Sequence, residues 1–196
     1  MNPISMNRGY RRLFWGTFFM LLWGGSDDPA ALNLFGIIGL CCCISGAGLI
    51  FSESDCRRFL LARRWAQAGI VVWFLQETEF LPNLLEVNIF MPWSLRFIFG
   101  FLVAAVTLQV YVHVLVGAGE ILGGTWVTYF SKRAVAFAGI YTIAVVANMV
   151  WDLIGGTGLG VWDIILNVFI MLYVFLTIWL MCVLAQLRRK YPSLTT

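Results

Sequence analysis

The chain has 196 residues, a net charge of +3, 61% hydrophobic residues and only 12% charged ones, with a mean hydropathy of +0.86. A water-soluble fold of this length could not hide that much apolar surface, so lipid must be the solvent for much of it. No basic patch is interleaved with aromatic residues as a nucleic-acid groove reader requires, and the length suits one polytopic membrane domain over residues 1–196.

A membrane span takes about 20 apolar residues. In chain order the hydropathy predicts six, at about 13–24, 32–51, 65–80, 95–116, 134–154 and 162–187. The first is short and follows Arg11-Arg12. It reads either as a span with Trp15 and Trp23 as interfacial anchors, or as a cleaved signal peptide ending in Gly24-Gly25-Ser26. Asp27-Asp28-Pro29 follows as a solvated turn: Asp suits a helix cap and Pro the first helical turn. Two carboxylates alone hold calcium poorly, since that ion takes about six to eight oxygens.

The second span carries Cys41-Cys42-Cys43. Consecutive helical residues point about 100° apart, so three thiols cannot converge on one ion, and they read as small packing residues. With Cys56 and Cys182 they form an odd set without a CxxC pair, which argues against a disulfide framework. The link from Ser52 to Arg64 combines Phe59, Leu60 and Leu61 with four arginines, and is expected to lie along the membrane surface as an interfacial helix. The Gly-rich link from Gly117 to Arg133 is expected to do the same.

With six spans, every basic residue except Arg96 falls on the side of the two termini. Asp27, Asp28, Glu77, Glu79, Glu86, Asp152 and Asp163 fall on the other side. The excess of Lys and Arg near span ends marks the cytoplasmic face. The expected fold is therefore an all-α integral membrane protein: a six-helix transmembrane bundle of three outward-opening hairpins, N-in/C-in.

One constellation stands out as a candidate site. Asn148 and Asp152 are spaced i, i+4 on the fifth span, and Asp163 and Asn167 are spaced i, i+4 on the sixth. Antiparallel packing across the Gly155–Gly160 turn would bring the four together in the outer half of the membrane, as a proton or cation site or as interhelical hydrogen bonding with two helix-end acids. Secondary candidates are His113 with Glu120, seven residues apart on one helical face, and the rim acids Glu77 and Glu79. A lone histidine serves as a pH-sensitive relay or simply as a hydrogen-bonded core residue. One histidine excludes a multi-histidine metal centre, and no HExxH or GxSxG motif occurs, so no enzyme activity, cofactor or metal is expected.

The stretch YRRLFWGTFFMLLWGGSDDPAALNLFGIIGL, Tyr10 to Leu40, resembles the start of a group of small multi-pass membrane proteins of Gram-positive bacteria. Those proteins have a short apolar run after basic residues, an outer turn with Asp and Pro, and a Phe-Gly-rich second span. Here DDPAALNLFG stands where they more often carry a longer hydrophobic stretch. The resemblance implies a bacterial plasma membrane and transfers neither an activity nor a catalytic residue. The expected function is that of a non-enzymatic accessory or envelope-associated factor. The alternative is a small oligomeric transporter or ion-passage protein using the acidic and amide cluster of the last hairpin. The expected partners are the lipid bilayer and a second copy of the chain or another membrane protein, and no nucleic acid.

Overall fold

The computed structural model describes residues 2–23, 29–77, 93–153 and 160–191, and within these the chain is all-helical. Six helices follow one another: α1 (Pro3–Trp23), α2 (Pro29–Ser54), α3 (Arg57–Glu77), α4 (Trp93–Leu122), α5 (Thr125–Leu153) and α6 (Gly160–Lys190). Each packs on the next in sequence, and α6 returns to α1, which closes a ring. α2 also touches α4 across it. Leu34–Ser54, Phe101–Leu122, Thr125–Ala147 and Ile170–Lys190 are long and apolar enough to cross a membrane. The apolar parts of α1 and α3 are shorter, because Arg8, Arg11 and Arg12, and Arg57, Arg58, Arg63 and Arg64, occupy their early turns.

The helix boundaries correct two expectations. Ser52–Arg64 does not form a separate interfacial helix. α2 runs to Ser54, only Asp55 and Cys56 intervene, and Arg57–Arg64 are the first turns of α3. Asp55 makes the reversal in the left-handed region (φ 51°), where a short polar side chain is tolerated, and its N–H donates to the Phe51 carbonyl at 2.9 Å. Gly117–Arg133 is likewise not a separate segment. α4 continues to Leu122, and Gly123 and Gly124, with φ of 70° and 57°, make the whole turn. Glycine is the residue that takes this conformation without steric cost, which is why two residues suffice. The charged stretches stay helical because their apolar sides are buried: Phe59, Ala62 and Ala66 on α3, Phe130 and Ala134 on α5.

α1 and α2 share the most intimate seam. Gly9 and Gly16 on α1 face Gly46 and Gly39 on α2, each pair seven residues from the next. A Cβ placed on Gly46 would sit 2.8 Å from the Gly9 carbonyl oxygen, and one on Gly39 3.0 Å from that of Gly16. The backbones therefore touch, as small residues permit where two helices cross in lipid. Cys43 fills the space between the two glycine pairs, fully buried, with its thiol 3.7 Å from the Met20 sulfur. Cys42 is half-buried and Cys41 exposed, so the three thiols diverge around the helix.

One end of the bundle collects the start of α1, the end of α2, the start of α3, the end of α4, the start of α5 and the end of α6. Asn2 caps α1 through its side-chain oxygen to the Ile4 N–H (3.0 Å), while its own N–H donates to Glu53 at 2.7 Å. The Asn7 amide donates to the carbonyls of Arg188 (2.9 Å) and Tyr191 (2.5 Å), which satisfies acceptors left over where α6 ends. Tyr10 stacks on Tyr191 and meets Phe59 edge-on. This is also the end that carries the basic residues of α1, α3, α5 and α6.

Candidate functional site

The described residues place the predicted positions unevenly. Asn148 and Asp152 lie near the end of α5 and Asp163 near the start of α6, but their side chains fall outside what the structure describes. Asn167 is an exposed residue of α6, beside exposed Ile164 and Val168. Glu77 is the last residue of α3, with its side chain outside the described set, as is all of Glu79. Asp27 and Asp28 are also outside it; α2 begins directly after them at Pro29.

His113 and Glu120 are described, and they belong to a small polar group where α3 meets α4. Arg58 Nε donates to Glu120 Oε1 at 3.0 Å, both side chains being partly exposed. The Cys56 thiol donates to Glu120 Oε2 at 3.4 Å. Burial raises the Cys56 thiol above its ordinary range, the N–H groups of Arg58 and Phe59 pull it down, and the Glu120 carboxylate pushes it up again. The net effect keeps Cys56 a protonated, poor nucleophile at neutral pH. His113 lies two turns deeper, half-buried, with Nδ1 buried and without a hydrogen-bond partner. Among the described residues no three of His, Cys, Asp and Glu converge as metal ligands.

A second polar group escaped the sequence reading because it contains no charged residue. Thr107 and Tyr111 on α4, Tyr141 on α5, and Tyr173 and Thr177 on α6 meet inside the ring. Tyr141 hydrogen-bonds Thr107, and the Thr177 hydroxyl donates to the Tyr173 carbonyl at 2.9 Å. The Tyr111 hydroxyl approaches that of Tyr173, yet it lacks the geometry of a formed hydrogen bond and is fully buried. The rings of Tyr111, Phe137, Tyr141 and Tyr173 form a continuous aromatic column, with centroids 5.1 to 6.1 Å apart. The sequence signal was present as two i, i+4 pairs, Thr107/Tyr111 and Tyr173/Thr177, each placing two hydroxyls on one face. Around this column the core is apolar and filled: Leu115, Phe137, Leu180 and Leu184 are each at most 1% exposed.

A groove of about 410 Å³ opens on the outer surface between the start of α5 and the end of α6. Trp126, Tyr129 and Trp179 form its aromatic walls, and Gln186 and Lys190 its polar rim. The Arg133 guanidinium lies 5.2 Å from the Tyr129 ring centre and 5.8 Å from that of Trp179, as a cation over two aromatic faces. The chain matches no family model, no curated protein and no solved structure.

Proposed function

We propose that the chain is a six-span plasma-membrane protein, with both termini cytoplasmic, that acts by contact with lipid or protein as an accessory or envelope-associated factor. The observation that carries this reading is the dry packing of the ring's interior. Tyr10, Phe59, Tyr111, Leu115, Phe137 and Leu184 fill it with almost no exposure, and the hydroxyls of Tyr10 and Tyr111 are enclosed among them without a hydrogen-bond partner. Four long apolar helices support the membrane setting, and the clustering of Lys and Arg at one end supports the cytoplasmic assignment of that end. α1 and α3 complete the six because each is wedged between two of the apolar helices. The bacterial setting rests on the N-terminal resemblance.

The competing reading, a small oligomeric transporter using Asn148, Asp152, Asp163 and Asn167, is separated by one experiment. Proton and monovalent-cation flux is measured in proteoliposomes, with wild type beside Asp152→Asn/Asp163→Asn. The expected result is no flux above protein-free liposomes under any gradient. Flux that the double variant loses would replace the accessory reading with transport. Orientation is checked with an impermeant maleimide on intact cells: Thr157→Cys labels and Gly124→Cys does not. Labelling of both from one side would remove the six-span topology.

A further inference from the structure

The groove between α5 and α6 has a chemistry distinct from the rest of the surface. Its walls are aromatic, Lys190 stands at the rim, Arg133 lies over the rings at the other end, and among the described residues no carboxylate lines it. From Trp179 to Lys190 it runs about 16 Å along α6 at 1.5 Å per residue. Beyond Trp179 the same face of α6 continues apolar and open, with Phe175 64%, Leu172 38% and Val168 51% exposed. One continuous strip therefore passes from cationic and aromatic to purely hydrocarbon. That is the order of groups in a phospholipid read from headgroup to chain. Trp and Tyr prefer the headgroup level, and Lys and Arg there attract anionic lipids. The volume lies in the range of about 300–1,000 Å³ typical of small-molecule sites.

We propose that this groove binds the headgroup of an anionic phospholipid from the leaflet at the basic end. Lys190 attracts the anionic headgroup at the rim, Arg133 meets the phosphate deeper in the groove, and the acyl chains lie along Phe175, Leu172 and Val168. Trp126 and Trp179 bracket the glycerol region, where an indole has an apolar face for the chain and an N–H for the ester oxygens. Gln186 supplies a neutral hydrogen-bonding partner at the rim. The proposal rests on the membrane reading given above.

The test uses the full-length protein in nanodiscs and the probes dioleoyl phosphatidylglycerol and dioleoyl phosphatidylcholine. Lipid retained by the protein is counted by native mass spectrometry after release into detergent. Wild type is expected to retain the anionic lipid in preference to the zwitterionic one. Arg133→Gln/Lys190→Gln should lose about thirtyfold of that preference, the attraction of two basic side chains to an anionic headgroup. Arg63→Gln/Arg64→Gln, which neutralises the same charge on α3, should keep it. A cooperative thermal unfolding transition of the groove variant in pure phosphatidylcholine shows that the variant folds. Three outcomes overturn the proposal: no anionic preference in wild type, equal loss in the α3 variant, or a Cys182–Cys182 cross-link showing a second copy seated in the groove. The membrane reading fails separately, by release of the protein from phosphatidylcholine vesicles in alkaline carbonate.

Discussion

Among the described glycines, the one with the closest approach to a neighbouring backbone should be the least tolerant of a methyl group. At Gly46 an added Cβ would lie 2.8 Å from the Gly9 oxygen, 2.9 Å from the Leu13 nitrogen and 2.9 Å from Leu13 Cγ. Real Cβ atoms do not sit that close, and two of the three neighbours are backbone, so no rotamer change relieves the contact. Gly46→Ala must instead push α1 and α2 apart along the seam and loosen Met20, Leu40 and Cys43. Overpacking of this kind costs about 1–3 kcal/mol. Against it stands the gain of about 1 kcal/mol that alanine brings to a helix interior. Gly16→Ala meets the same obstacle, with the Gly39 oxygen at 2.9 Å and the Cys43 nitrogen at 3.0 Å. Because one outward shift of α1 serves both sites, the double variant should lose less than the sum of the two. Gly139 on α5 is the control, since nothing lies within 4 Å of its added Cβ. Gly139→Ala should stabilise by about 0.5–1 kcal/mol through propensity alone. The assay is unfolding in mixed micelles of increasing sodium dodecyl sulfate, followed by circular dichroism. If Gly46→Ala and Gly139→Ala shift the transition alike and upward, the helices do not meet at these glycines and the seam is refuted.

Other expectations concern single polar groups. Tyr111→Phe should leave stability unchanged or raise it, because its hydroxyl is buried without a formed hydrogen bond, whereas Tyr141→Phe should cost about 1 kcal/mol by orphaning Thr107; equal effects in the same unfolding assay would contradict the network. Glu120→Gln should change stability by less than about 1 kcal/mol, since its ion pair with Arg58 is partly exposed. The same substitution should speed alkylation of Cys56, read by peptide mass spectrometry at pH 7.5. Removing the carboxylate lowers the raised thiol and so increases the thiolate fraction. In wild type that alkylation should lag behind a free thiol and accelerate as pH rises past the ordinary thiol range; an unchanged rate in the variant would show that Glu120 does not act on the sulfur. Asn7→Ala should release the end of α6, detected as faster amide exchange at Tyr191, with no change in exchange at the α4–α5 turn.

The two ends of the helices differ in how far the sequence alone determined them. Near Pro29, Trp93, Leu153 and Gly160 the expected span limits of 32, 95, 154 and 162 lie within three residues of the helix ends. There the apolar run and the described helix end together. At the basic end the expected starts of the first, third and fifth spans, 13, 65 and 134, lie eight to ten residues inside the true helix starts at Pro3, Arg57 and Thr125. Hydropathy reports what a segment can share with lipid, and Arg11, Arg63 and Arg133 end that. It does not report whether the backbone stays helical, which depends on the buried side of the same turns: Met6 and Tyr10, Phe59 and Ala62, Phe130. Those burials are contacts between distant segments. Membrane class, the all-helical fold and the segregation of charge were thus written in composition and spacing. The ring closure of α6 on α1 was not, nor was the glycine seam, the inner hydroxyl column or the aromatic groove. Each of these joins residues on different helices, and only the packing of those helices decided which faces would meet.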